Sequence, residues 1–113
     1  MMQGYEREKA LAYMMTHLNY GAHKELGDLI DSLLAQCIDA DMTYMHEAGV
    51  LDDEGFSGGE WYEEDDAFEF IVDRIAQQNA FTPEQAVSAA LLVNEFMDLQ
   101  AAFMEKAGLA SNE

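Results

Sequence analysis

The stretch from Thr82 to Leu109 leaves this chain the least freedom, because chemistry that starts and stops helices stands at both of its ends. Thr82-Pro83-Glu84-Gln85 is a capping box with proline in the first helical position, in which the Thr82 hydroxyl takes a free N–H and Gln85 reaches back. At the other end Gly108 suits the left-handed conformation, which lets Leu109 fold back on Met104 in a Schellman ending. The spacing predicts a helix over 83–107, about 37 Å long at roughly 1.5 Å per residue. On a wheel of about 100° per residue, Glu84, Asn94, Glu95, Asp98, Glu105 and Lys106 crowd into about a third of the circumference. Ala86, Val93, Met97, Ala101 and Met104 form one apolar side, and Leu92, Phe96, Leu99 and Phe103 the side adjoining it. A helix apolar on two sides needs partners on two. They are either the rest of the chain or a second copy, so a homodimer through the helix 83–107 is one expectation.

With 113 residues, half of them apolar, residues 1–113 read as one helical domain that can build a core without staples. The single cysteine, Cys37, lies on an apolar helical face and reads as core, with no second thiol for a disulfide or a zinc cluster. Neither a basic start followed by an apolar run nor a stretch of about 18 apolar residues is present. No signal peptide or membrane span is therefore expected, and the expected location is the cytoplasm. Charge is the abnormal property: 23 acidic against 5 basic side chains, a formal net charge of -18. Such a surface repels nucleic acid and anionic lipid, and it attracts basic proteins in a strongly salt-dependent way. Solubility alone is the competing explanation of the acidity.

Leu11, Met14, Met15 and Leu18 predict a first helix over 5–20, with Glu6 and Glu8 suitably placed in its first turn. His17 and His23 read as surface residues, because no Glu-x-x-His pair accompanies them. A second helix is predicted over 23–48, with Leu26, Leu29, Ile30, Leu33, Cys37, Ala40 and Tyr44 on one face and Leu34, Ile38 and Met45 beside it. Asp41 falls between these stripes, which predicts partial burial and a raised pKa unless hydrogen bonds compensate. It stands without a partner base or nucleophile and reads as a satisfied structural group. At an offset of 59, Leu33, Asp39, Met45, Ala48 and Gly49 meet Leu92, Asp98, Met104, Ala107 and Gly108. The match is densest where helix-ending chemistry dictates residues, so convergence is the preferred reading and a duplicated hairpin the alternative.

The one long connection is the acidic, glycine-containing loop at 51–59, Leu-Asp-Asp-Glu-Gly-Phe-Ser-Gly-Gly. It meets neither the ligand register of an EF-hand nor the Lys and Ser/Thr requirement of a P-loop. A divalent-cation sink at Asp52, Asp53 and Glu54 is a residual reading. Ser57 as N-cap, Glu60 completing a capping box and Phe56 stapled on Trp61 predict a third helix over 58–78. Its expected core is Trp61, Phe68, Ile71, Val72 and Ile75, and Glu63, Asp66, Glu69 and Asp73 share the outer face with Tyr62 and Phe70 among them. With Glu60, Glu64 and Asp65 there are seven carboxylates, about one per 3 Å of helix, close to the phosphate spacing of about 3.4 Å along a DNA strand. Arg74 is the only local counter-charge.

These observations predict an all-α bundle of four helices, at approximately 5–20, 23–48, 58–78 and 83–107, with fraying at residues 1–4 and 110–113. No constellation for nucleophilic, metal or cofactor chemistry is present, so the expectation is a binding protein that is not an enzyme and holds no cofactor or metal. The expected partner surface is Asp52, Asp53, Glu54, Tyr62, Glu63, Asp66, Glu69, Phe70 and Asp73, docking on a basic protein surface such as that of a nucleic-acid-binding protein. In size, acidity and helical content the chain resembles phage- or plasmid-encoded DNA-mimic inhibitors, including some anti-CRISPR proteins. The resemblance is one of type and implies competition for a DNA or RNA groove, with no residue role carried over. The alternative is a homodimeric structural or regulatory subunit built on the last helix.

Overall fold

In the computed structural model, which describes residues 2–109, the chain is an all-α bundle. Helices α1 (Arg7–His17), α2 (Ile30–Glu47), α3 (Glu64–Gln78) and α4 (Pro83–Lys106) follow one another, with a 3-10 segment, Tyr20–Leu29, before α2 and no strand among the described residues. The last helix has the predicted bounds and chemistry. Thr82 Oγ1 accepts from Gln85 N at 3.1 Å while Gln85 Oε1 accepts from Thr82 N at 3.0 Å. Beyond Lys106, Gly108 N donates to Glu105 O and Leu109 N to Met104 O, the two bonds of a Schellman ending, with Gly108 at φ 74°.

The other starts lie later than predicted. The segment from Tyr20 to Leu29 does not continue into α2, because Gly27 adopts φ 53° and ψ -125° and His23 is also non-helical. Leu29, expected inside with Ile30, is consequently exposed, while His23, expected at the surface, is buried. Helix α3 begins at Glu64 and not at 58. Ser57 pairs with Leu51 as an isolated bridge, Gly58 N donates to Val50 O and Glu60 N to Gly49 O. The donors that a helix start would leave free are thus spent on the carbonyls just beyond α2. Gly58 is required there, since a Cβ would stand 2.4 Å from Gly49 O. The expected capping box at Ser57 and staple of Phe56 on Trp61 therefore do not form, and Trp61, expected in the core, is 75 % exposed. At the N-terminus Gln3 is tied to the 51–59 loop, N to Gly55 O at 3.0 Å and Nε2 to Glu54 O at 2.6 Å, which corrects the fraying expected at residues 2–4. The fraying expected of Met1 and 110–113 concerns residues outside the described range.

Helix α4 is the core helix. Leu92, Val93 and Phe96 are fully buried in one core cluster with Leu33, Leu34, Cys37 and Ile38 of α2, Ile71 and Ile75 of α3 and Met14 of α1. Phe103 is covered by Tyr5 and Tyr13. By length and composition α4 is apolar enough to cross a bilayer, yet its most apolar face is this core. Of its large apolar side chains only Val87 (65 %) and Leu91 (55 %) are mostly exposed, so intrachain helices take up most of the doubled apolar surface.

The bundle consists of two hairpins, α1–α2 and α3–α4, built to one plan. The first helices correspond at an offset of 57 residues. Glu6 and Glu63 precede α1 and α3 with φ/ψ of -103°/104° and -100°/109°. Ala10, Met14 and Leu18 are buried as Ala67, Ile71 and Ile75 are. The second helices correspond at 59, where Ile30, Leu33, Leu34, Cys37 and Asp41 match Ala89, Leu92, Val93, Phe96 and Gln100, all buried. The halves cross-pack in matching ways. Tyr5 meets Phe103 edge-on at 5.6 Å and 75°, and Tyr62 meets Tyr44 at 5.6 Å and 87°. Tyr13 lies 5.7 Å from Phe103 at 53°, and Phe70 lies 5.7 Å from Tyr44 at 55°. Convergence at helix ends does not account for this, because the agreement runs through helix starts, buried positions and ring geometry. The two-residue growth of the offset arises between the paired helices, where the first half carries the Tyr20–Leu29 segment and the second extends α3 to Gln78 and begins α4 at Pro83 around a short turn.

Candidate functional site

The outer side of α3 carries the charge. Helix α3 buries Ala67, Ile71 and Ile75, which leaves Glu63, Asp66, Glu69 and Asp73 facing solvent as predicted, with Glu60, Glu64 and Asp65 exposed beside them. Among the described residues none of these seven side chains is hydrogen-bonded or paired with a cation, whereas Arg7 is bidentate on Asp39 and Lys9 pairs with Glu6. Arg74, the expected counter-charge, instead lies over the Phe70 ring with its guanidinium 5.0 Å from the centroid.

The two aromatics expected among those carboxylates turn inward. Phe70 packs on Tyr44, and Tyr62 packs edge-on against Tyr44 while its hydroxyl donates to Asp41 Oδ1 at 2.7 Å. Phe70 does so because its place in α3 adjoins the buried Ile71 beside α2, and for Tyr62 the physical reason is the late start of α3. A helix from 58 would have carried Tyr62 around its outer side, but the extended residues before Glu64 lay it across α2. The exposed aromatics on this side of the sequence are Trp61, directly before the acidic run, and Phe56 (59 %) in the preceding loop. That loop holds its carboxylates apart. Asp52 Oδ1 accepts from Glu54 N and Phe56 N, Asp53 accepts from His46 Nε2 at 2.8 Å, and Glu54 offers its carbonyl to Gln3. Among the described residues no group of three His, Cys, Asp or Glu side chains is placed to hold a metal ion.

A second constellation lies where the halves meet. Tyr5 Oη donates to Gln100 Oε1 at 2.6 Å, Gln100 Nε2 donates to Asp41 Oδ2 at 3.0 Å, and Tyr62 Oη closes the chain on the other Asp41 oxygen. Asp41 is 1 % exposed. Burial pushes its pKa above the ordinary carboxylate value, while the donors Gln100 and Tyr62 pull it back. Burial likewise pushes up the hydroxyls of Tyr5 and Tyr62, the latter further because it faces Asp41. The Cys37 thiol is pushed up by burial and is a core group, as its apolar setting predicts. With both oxygens of Asp41 hydrogen-bonded, this chain of side chains ties the two halves together in register.

Sequence reasoning missed the chain of four side chains and the exposure of Trp61. The first had a signal, since Tyr-Glu followed by a buried alanine five residues after the tyrosine occurs at Tyr5 and again at Tyr62. The second had none, because a helix start at Ser57 and a loop ending at Glu63 satisfy the same local pattern. His23 donates from Nε2 to Glu95 Oε1 at 2.7 Å and its Nδ1 has no protein partner. No known protein family, curated protein or solved structure matches this chain.

Proposed function

We propose that the protein is a small acidic binding protein whose α3 face, with Trp61 at its edge, docks on the basic surface of a nucleic-acid-binding protein and competes there with nucleic acid. One observation carries this reading: the two halves share a fold plan and differ in charge. At the offset of 57, Glu6, Arg7, Glu8 and Lys9 of the first hairpin sum to zero charge, and their counterparts Glu63, Glu64, Asp65 and Asp66 are all acidic. Ala12 and Thr16 correspond to Glu69 and Asp73, and Gly4 corresponds to Trp61. The first turn of the plan is thus satisfied with balanced charge at 6–9, and the matching carboxylates of α3 are an addition that the plan does not require.

Like charges crowded on one face without intramolecular cations cost stability, and a basic partner relieves that repulsion. An exposed tryptophan next to the charges is the residue type that anchors protein interfaces. Asp52, Asp53 and Glu54 extend the same negative field from the neighbouring loop. The test is displacement. Partner proteins held on the immobilised chain at low salt should be released by duplex DNA or RNA at a concentration whose added ionic strength alone releases nothing. They should be lost when Asp66, Glu69 and Asp73 are replaced by lysine. Retention unchanged in about 1 M salt, or indifference to nucleic acid, would remove the reading.

A further inference from the structure

The core of this protein is the seam between its two hairpins. Tyr5 with Gln100 and Phe103, Tyr62 with Asp41 and Tyr44, Asp41 with Gln100, His23 with Glu95 and Gln36 with Asn79 all join one half to the other. A single covalent connection, residues 48–61, joins the halves. We propose that two copies of this chain exchange hairpins, so that α1–α2 of one packs on α3–α4 of the other, Tyr62 included, with residues 48–61 as the hinge.

Every contact of the seam is recreated in the exchanged dimer, and only the closed conformation of the connection is given up. That conformation rests on one buried side chain, Leu51, on the backbone bonds Leu51 N to Met45 O, Asp52 N to Phe56 O, Gly55 N to Asp52 O, Gly58 N to Val50 O and Glu60 N to Gly49 O, on the side-chain bonds of Asp52 and Asp53, and on the two bonds from Gln3. Extended at roughly 3.4 Å per residue, the connection reaches about 50 Å. That exceeds the 38 Å long dimension of the molecule, so the hinge spans two bundles without strain. Exchange of an identical element between protomers is a low-cost route to a dimer. It competes with intrachain closure, whose effective concentration is of order millimolar for a flexible connection. Exchanged dimer therefore accumulates when chains fold at comparable concentration, and it persists on dilution because separation requires the seam to open. Such a particle carries two α3 faces and would dock bivalently; that consequence rests on the proposed function, whereas the exchange stands on the fold alone.

The experiment is co-refolding of two full-length variants in a Cys37→Ala background, one carrying Gln36→Cys and the other Asn79→Cys, from denaturant at about 1 mM and at about 1 µM. The Gln36 and Asn79 side chains are hydrogen-bonded at 2.8 Å across the seam, so a short thiol-specific bismaleimide bridges the two cysteines between chains when α2 of one copy lies on α3 of the other. The expected result is a cross-linked dimer after refolding at high concentration. Little or none should form at low concentration or when the two folded proteins are simply mixed. Gly58→Ala, which places a Cβ against Gly49 O and the Leu51 backbone and touches neither hairpin, should raise the dimer fraction several-fold in the same protocol. A protein that refolds only as monomer at about 1 mM, a dimer in which positions 36 and 79 never cross-link, or a dimer fraction unchanged by Gly58→Ala would each overturn the proposal.

Discussion

Removing the Tyr62 hydroxyl should destabilise the protein by an amount that depends on pH. In Tyr62→Phe, Asp41 Oδ1 loses a donor at 2.7 Å while the carboxylate stays 1 % exposed. A buried hydrogen bond to a charged group is worth about 1.5–3 kcal/mol, or roughly 5–12 °C in Tm for a chain of this length. The pH dependence follows from the state of Asp41. Its folded pKa is raised above the unfolded value of about 3.9, so the folded state binds the proton more tightly. That contribution to stability is fully present below the unfolded pKa and is lost as pH rises through the folded one. Tyr62 and Gln100 limit the loss by stabilising the carboxylate, and deleting one of them exposes more of it. The cost of Tyr62→Phe should accordingly be largest at pH 8 and shrink toward pH 5. Charge repulsion over the rest of the surface also changes with pH, but it is common to both proteins and cancels in the difference. Urea unfolding followed by helical circular dichroism measures this, and it is preferable to fluorescence because Trp61 is already exposed in the folded state. Asp41→Asn is the control. Gln100 can turn over, accept from the new amide and donate to the Tyr5 hydroxyl, and the pH dependence of the Tyr62→Phe cost should vanish in that background. A cost under about 0.5 kcal/mol at pH 8, or one independent of pH, would refute the account of the seam.

Phe96→Ala should cost about 3–5 kcal/mol in chemical denaturation because the ring is fully buried, whereas Val87→Ala and Leu91→Ala on the solvent side of the same helix should stay within about 0.5 kcal/mol. Thr82→Ala should lose about 1 kcal/mol, since the hydroxyl caps Gln85 N; an unchanged urea midpoint would mean that α4 starts without it. Raising sodium chloride from about 0.02 to 0.5 M should raise the Tm of the wild type more than that of Asp66→Lys/Glu69→Lys, because screening relieves a repulsion that the variant has already reduced.

How much could be read in advance depended on where the relevant interactions lie. For α4 the start, the stop and the buried face all come from residues within a turn of one another, so Thr82, Gln85 and Gly108 were sufficient. The acidic side of α3 was equally legible, since Glu63, Asp66, Glu69 and Asp73 fall at helical spacing whether the helix begins at 58 or at 64. The errors were made where two local solutions compete. Ser57 and Glu60 fit a capping box, but Gly58 and Glu60 have better acceptors in Val50 and Gly49, and nothing near them in sequence reveals that. The same decision moved Trp61 out of the core and turned Tyr62 away from the acidic face.

The all-α class, the long capped helix and the concentration of charge on one helix follow from local sequence, because capping and helical periodicity are short-range and act before any tertiary contact forms. That Asp41 meets Gln100 across the seam, that Tyr5 and Tyr62 flank them, and that the chain is one hairpin plan used twice emerge only in three dimensions. Those facts depend on distances between residues far apart in the chain. The offset that would have disclosed them changes from 57 to 59 within each half, so that no single alignment of the chain with itself displays both.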